Sequence, residues 1–132
     1  MPDLTVAGRL ARIANDPTLV LTHHGRKTGS PYEVTIWFMV EGETVYLATM
    51  NKHRQWCRNV AVRPQVSLRI GPQTFTGEVS VIAGASEKAR VVELIKRKYW
   101  YARPYFWVMT LIGREAVSAA FRVTLVPPDL VA

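Results

Sequence analysis

Leu19-Val20-Leu21-Thr22-His23-His24-Gly25-Arg26-Lys27-Thr28-Gly29-Ser30-Pro31, continued by Tyr32-Glu33-Val34-Thr35-Ile36-Trp37-Phe38-Met39-Val40, is the stretch from which the fold is read. Two apolar segments rich in β-branched and aromatic residues flank a polar one, so the segment reads as strand, turn, strand, with strands at Leu19 to Thr22 and about Glu33 to Val40. The nine residues from His23 to Pro31 hold two glycines, a proline, two hydroxyls and two adjacent cations, which gives the turn backbone freedom and donors for an oxygen. Two readings of it stand open: an ordinary basic hairpin turn whose cations face water, or a corner that receives an anionic group.

Downstream the strand pattern continues. Glu41-Gly42-Glu43 makes a turn and Thr44 to Thr49 a third strand with partial alternation, so three antiparallel strands in a row suggest a meander. Asn51 to Val62 breaks the pattern: with Asn51 or a near neighbour as cap, a helix puts Trp56 and Val60 on one face and ends at Pro64. Gln65 to Ile70 and Thr74 to Ile82 form a clear hairpin around Gly71-Pro72-Gln73, with Val66, Leu68 and Ile70 alternating against Ser67 and Arg69. Ser86 reads as the cap of a helix running to Lys98, whose cationic end suits the helix dipole. Ala116 to Val126 is the closing strand, terminated by Pro127-Pro128.

Upstream, Leu4, Ala7, Ala11 and Ala14 share a helical face with Leu10 and Ile13 adjoining, so a short amphipathic helix is expected over about residues 3 to 14. Its mixture of apolar side chains with Arg9 and Arg12 would suit a membrane surface, but a lid over the domain's own core is the favoured role. Six or so antiparallel strands with accessory helices make a mainly β protein, expected to be a small closed or half-closed barrel, since closure removes exposed sheet edges.

Size and charge bound the function. The 132 residues are expected to form one domain, and 48% hydrophobic with 20% charged residues is a globular balance. A spanning helix is not expected, because the apolar runs at Leu19 to Leu21 and Val34 to Val40 are far too short. The single Cys57 and the lack of a cleaved signal pattern fit a cytoplasmic protein. A net charge of +7 would attract an anionic ligand, nucleic acid or membrane surface; because the cations are scattered without a tail or finger motif, nucleic acid is not favoured.

Several chemistries fail on spacing. His23 and His24 are neighbours on a strand and point to opposite faces, and His53 has no motif around it, so no metal site is expected. Cys57 has no identifiable histidine partner, and the carboxylates sit in turns and on surfaces rather than in pairs. What remains is a basic turn, a second cationic cluster of Lys52, Arg54, Arg58 and Arg63 around the start and flank of the second helix, and the run Tyr99 to Trp107, in which six of nine residues are aromatic and either pack the core or wall a pocket for a flat ring. The combination points to a phosphorylated aromatic cofactor.

Leu21-Thr22-x-x-Gly25-Arg26-Lys27-Thr28-Gly29, then Asn51-Lys52 leading into Gln55-Trp56-x-Arg58-Asn59, then Pro64-x-Val66-x-Leu68, resembles the deazaflavin-dependent nitroreductase family of the split β-barrel flavin and deazaflavin oxidoreductases. The resemblance runs from about Leu19 to Val81 and more loosely to Val126. It implies a split β-barrel of the FMN-binding, pyridoxamine-phosphate-oxidase type. It also implies coenzyme F420 held by Gly25, Arg26, Lys27, Thr28, Gly29, Asn51, Lys52, Trp56, Arg58 and Asn59, and hydride transfer to a small electron-poor acceptor such as an activated alkene, quinone or nitro compound. Tyr101, Tyr105 and Trp37 are the substrate-pocket candidates, with a homodimer the expected assembly. The compact spacing from Asn51 to Trp56, shorter than in many relatives, keeps FMN as the alternative cofactor, and a non-catalytic binder as the alternative role.

Overall fold

Trp37 is a single residue between two strands that lie at opposite ends of the same sheet. In the computed structural model, which describes residues 5–126, the chain forms α1 (Val6–Ile13), β1 (Leu19–His24), β2 (Pro31–Ile36), β3 (Phe38–Glu41), β4 (Thr44–Thr49), α2 (Gln55–Val62), β5 (Gln65–Ile70), β6 (Gln73–Val81), α3 (Ala85–Lys98), α4 (Arg103–Leu111) and β7 (Ala119–Leu125). The strands make one antiparallel sheet in the order β2-β1-β5-β6-β7-β4-β3. Laid flat, seven strands would separate the outermost pair by roughly 29 Å. One linking residue lets the ends of β2 and β3 stand no more than about 7–8 Å apart. The sheet therefore curls into an open barrel, split between β2 and β3.

The expected strand Glu33 to Val40 is thus two strands, and the meander through β2 is replaced: β2 pairs with β1, whereas β3 pairs with β4. Nothing in the sequence marks the break, since Trp37 is as suited to a strand as its neighbours. Tertiary contacts hold it instead. The Trp37 ring stacks on Tyr99 with centroids 4.0 Å apart and planes at 5°. The buried Tyr99 hydroxyl accepts from the Phe38 backbone N–H (3.2 Å) and reaches the Pro17 carbonyl at 2.7 Å, while Lys98 Nζ donates to the Phe38 carbonyl at 2.8 Å. Backbone groups that leave the ladder at the crossing are satisfied by side chains from α3 and its end.

The β5–β6 hairpin stands as expected, with Ile70 opposite Gln73 across Gly71-Pro72. Gly71 has φ 56°, which the first position of such a two-residue loop demands and which L side chains disfavour. The barrel interior holds Leu19, Leu21, Leu47, Leu68, Phe75 and Val123, closed on one side by Leu10 of α1 and Trp56 of α2. A second apolar layer lies outside the sheet, where Met39, Tyr46 and Ala120 pack against Val91 and Ile95 of α3 and Phe106 of α4. This explains the weak alternation of β4: Val45 and Leu47 face the barrel while Tyr46 faces the helices, so both sides are buried.

Helix α1 is a lid. Thr5 caps it through a 3.0 Å bond from the Gly8 N–H, Val6, Leu10 and Ile13 are buried at helical spacing, and the Arg9 guanidinium sits 4.4 Å from the Phe75 ring centroid. The expected start at residue 3, Leu4 and the terminating Pro127-Pro128 lie outside the described residues. One expected cap is corrected: Gly84, not Ser86, precedes α3. Arg54, a near neighbour of Asn51, precedes α2, and neither Gly84 nor Arg54 supplies a side-chain cap bond. The closing strand begins at Ala119, not Ala116, because the chain joins β4 only from Ala119 opposite Thr49.

Tyr99→Phe should keep the fold but leave the Phe38 N–H and Pro17 carbonyl without their hydroxyl partner, lowering unfolding free energy by about 1–3 kcal/mol. Denaturant unfolding checks this; a midpoint equal to that of the parent protein would show that the hydroxyl does not hold the crossing.

Candidate functional site

The turn between β1 and β2 is tied to α2 by one buried amide. Asn59 is wholly buried, and its Oδ1 accepts from the Arg26 backbone N–H (3.2 Å) and from Arg26 Nη1 (2.8 Å). Because a guanidinium only donates, this fixes the amide orientation and turns Nδ2 toward His23 Nδ1, 3.0 Å away. His23 must then accept at Nδ1, so the imidazole is neutral with its proton on Nε2. Burial, and after it the neighbouring His24, pushes the His23 pKa below 6.5 in agreement. The sequence reading placed the two histidines on opposite faces correctly, with His23 buried and His24 partly exposed. It did not find the Asn59 bond, which joins residues 36 positions apart.

The rest of the turn is built around Arg26. The Gly25 N–H donates to the Ser30 carbonyl and the Gly29 N–H to the Gly25 carbonyl, each at 2.8 Å. Gly29 has φ 78°, which L side chains disfavour, and a Cβ there would stand 3.3 Å from Arg63 Nη1 and press that guanidinium back by a few tenths of an ångström. The Thr28 hydroxyl accepts from the Ser30 N–H at 3.3 Å and meets Ser30 Oγ at 3.0 Å, which shapes the turn. Asn59 takes one of the five side-chain donors of Arg26, Lys27 is exposed, and Arg63 stands beside Gly29. Together they form a cationic corner. Arg63, expected only as a cation flanking the helix and not as a site residue, reaches this turn because of where α2 ends.

A second turn leads into α2. Thr49 Oγ1 donates to the Asn51 carbonyl (3.0 Å) and accepts the Asn51 N–H (3.1 Å), Asn51 Oδ1 accepts the His53 N–H (2.9 Å), and the Lys52 N–H meets Ser118 Oγ at 3.3 Å. The Asn51 side chain thus braces the turn, while Lys52, Arg54 and Arg58 are exposed around the helix start. Cys57 lies beneath; burial pushes its thiol up to about 11, which leaves it protonated and a poor nucleophile at neutral pH.

Beside this turn is a cavity of about 480 Å³, within the range of small-molecule sites. Val34, Ile36 and Trp37 wall one side, Trp56 the floor from α2, and Tyr105 with Phe106 the α4 side; among the described residues Arg54 is the one cation lining it. Of the aromatic pocket candidates, Trp37 and Tyr105 line this space and Tyr101 does not. Tyr101 is exposed and stands edge-on to Trp37, with centroids 5.9 Å apart. The Tyr105 hydroxyl donates to the Ala116 carbonyl at 3.0 Å, so it orients the ring in the wall. Within the aromatic run Tyr99 and Phe106 are buried, and Tyr105 and Phe106 line the cavity.

Helix α2 joins the two regions. Trp56 touches the cavity, Asn59 one turn later holds Arg26, and Arg63 at the far end flanks Gly29. From Trp56 to Arg63 the axial distance is about 10 Å. The structure therefore sets an apolar, aromatic-walled space at one end of a short helix and a cationic corner at the other.

A family model described as F420H(2)-dependent quinone reductase matches residues 4–107 of this chain. No curated protein matches it. Among solved structures, one described as an F420-H2 dependent reductase (FDR-A) is similar at 23% identity and a TM-score of 0.67, over 82% of this chain and 94% of that one. A second, described as a domain-swapped dimer, has 22% identity and a TM-score of 0.67 over 82% and 80% of the two chains. A third, from Listeria innocua and provisionally described as a pyridoxamine 5'-phosphate oxidase, has 20% identity and a TM-score of 0.64 over 93% of each chain. These likenesses establish the split β-barrel fold.

Stability should fall as pH drops through 6.5, because the unfolded chain then takes up a proton at position 23 more readily than the folded chain does. Denaturant midpoints above and below that pH check it, and His23→Gln should flatten the dependence. Asn59→Leu should cost on the order of 3 kcal/mol by stranding Arg26 and His23 without their shared partner; an unchanged midpoint would refute the role of the amide.

Proposed function

Because the chain belongs to the F420H(2)-dependent quinone reductase family, we propose that it is an oxidoreductase that binds reduced coenzyme F420 and passes hydride to a small electron-poor acceptor: an activated alkene, quinone or nitro compound. The observation that carries the reading is the pairing of the apolar cavity and the cationic corner along α2. A flat ring joined to a phosphate-bearing tail requires those two environments at that kind of separation. When bound, the coenzyme supplies the hydride chemistry, and the protein supplies orientation and electrostatics.

In this reading Arg26 and Lys27 hold the tail phosphate, the first through a planar guanidinium fixed by Asn59 and the second as a mobile point charge. Gly25 and Gly29 let the backbone approach, and Thr28 keeps the turn in shape. Lys52 and Arg58 add positive charge for the acidic tail, with Asn51 bracing the loop that carries Lys52. Trp56 lies beneath the ring, while Trp37 and Tyr105 bound the space left for an acceptor and exclude water from it. Tyr101 acts through Trp37, whose edge contact it provides. No side chain is assigned as proton donor.

The homodimer is part of the same proposal. One similar structure is described as a domain-swapped dimer, and here β2 and β3 are the edge strands of a sheet that stops short of closure. Light scattering should return twice the chain mass; a monomer at working concentration would remove this part of the reading.

Titration with oxidised and reduced F420, followed by absorbance, should show saturable binding. Arg26→Ala combined with Lys27→Ala should weaken it by at least about a hundredfold, from about 1.5–3 kcal/mol for each of the two charge-assisted contacts. Glu87→Ala, which removes the Arg122 partner in the first turn of α3 and touches neither the corner nor the cavity, should leave binding nearly unchanged. Failure of both coenzyme forms to bind, with a yellow FMN complex formed instead, would overturn the cofactor assignment.

A further inference from the structure

Among the described residues, every polar side chain lining the cavity beside α2 can donate a hydrogen bond, and none is an acid. Two of these donors are already engaged. Thr49 Oγ1 donates to the Asn51 carbonyl at 3.0 Å, and the Tyr105 hydroxyl donates to the Ala116 carbonyl at 3.0 Å. The Thr35 hydroxyl and the indoles of Trp37 and Trp56 are neutral. Arg54 alone brings a permanent charge and a fork of five donors. Its guanidinium takes part in none of the ion pairs among the described residues, which join Lys88 to Glu115, Arg90 to Glu41, Lys96 to Glu93 and Arg122 to Glu87.

The backbone fixes where this side chain starts. The Arg54 N–H donates to the Asn51 carbonyl and its carbonyl accepts the Arg58 N–H, each at 3.2 Å, with the residue extended at φ −60° and ψ 148° just ahead of α2. Two residues later Trp56 is buried as the cavity floor. The guanidinium thus stands at the edge of that floor and is exposed, so it meets a ligand without first bearing the cost of a buried, unpaired charge. Lys52 and Arg58 are not among the lining residues, which leaves the charge of the cavity to one side chain. A space of about 480 Å³ with apolar walls, a single cation and no acid selects a flat apolar body with an anionic oxygen group at one edge. The net charge of +7 draws such a molecule in from a distance.

We propose that the acceptor is a flat, electron-poor ring or conjugated alkene that carries a carboxylate or similar anionic group, and that Arg54 is the residue that selects it. The inference rests on the reading above, in which an acceptor enters the space bounded by Trp37 and Tyr105, and it narrows the class of that acceptor. A guanidinium holds a carboxylate through two parallel bonds, which orients the ring as well as retaining it. Pairing also offsets a negative charge that would otherwise repel an incoming hydride.

Calorimetric titration of the full chain, without coenzyme, compares 2-naphthoate with its neutral analogue 2-naphthamide. The parent protein should bind the carboxylate roughly tenfold more tightly, with added salt narrowing the difference. Arg54→Gln should bring 2-naphthoate down to the level of the amide, Arg54→Lys should keep part of the preference, and Arg69→Gln, which removes equal charge elsewhere, should keep all of it. With F420 as hydride donor, 1,4-naphthoquinone-2-sulfonate should exceed 1,4-naphthoquinone in kcat/KM, and Arg54→Gln should erase that advantage through KM. Equal affinity of the parent for the two naphthalene probes, no saturable binding of 2-naphthoate, or equal losses from Arg54→Gln and Arg69→Gln would overturn the proposal. So would a loss of F420 affinity in Arg54→Gln as large as the loss for 2-naphthoate, which would assign the guanidinium to the coenzyme. F420 that binds where 2-naphthoate does not removes this inference and keeps the cofactor; the reverse removes the cofactor and keeps the anion preference of the cavity.

Discussion

The barrel depends on a link of one residue. Trp37 takes the chain from one edge of a seven-stranded sheet to the other, and a flat sheet cannot meet that constraint. Curling brings Leu19, Leu21, Leu47 and Val123 into a common interior, and the same crossing places an aromatic ring at the mouth of the cavity. The strands can leave their ladders here because Tyr99 and Lys98 satisfy the Phe38 backbone groups from α3. Closure of the fold and formation of the pocket are therefore consequences of one contact between β-strand and helix, in which stacking and hydrogen bonding act together.

A second constraint organises the polar side. Asn59 has no exposure to water, so its donors and acceptors must find partners in the protein, and it finds them in Arg26 and His23. The helix that floors the cavity and the turn that carries the cations are held in one geometry by that amide. A buried polar hub is costly when half satisfied, which gives the arrangement its specificity: moving the turn would strand the guanidinium, the imidazole and the amide together. In the proposed function this preorganisation would serve a phosphate-bearing tail, because Arg26 is oriented by Asn59 before any ligand arrives.

The aromatic segment near the end of the chain serves two surfaces at once. Tyr99 stacks on Trp37, Tyr105 and Phe106 complete the cavity, and Trp100, Trp107 and Leu111 face outward. Such a helix cannot be read as simply core or simply surface. Its residues divide between buried core, cavity wall and outer surface within one short run.

Much of this was legible in order along the chain. Composition and period-2 patterning determined a mainly β protein with a lid helix, the β5–β6 hairpin and the burial of Trp56 and Val60, because these follow from local propensity and side-chain alternation. The motif spacing pointed to the family and to the basic turn between β1 and β2. Tertiary structure alone decided that the run from Glu33 to Val40 breaks at Trp37, since its neighbours are equally good strand formers on both sides of the break. It also decided that Asn59, rather than a further cation, organises the corner, that Arg63 joins it, and that Tyr101 stands outside the cavity. Local sequence sets what each segment prefers, but which distant segments meet is decided by closing the sheet and satisfying every buried polar group at the same time.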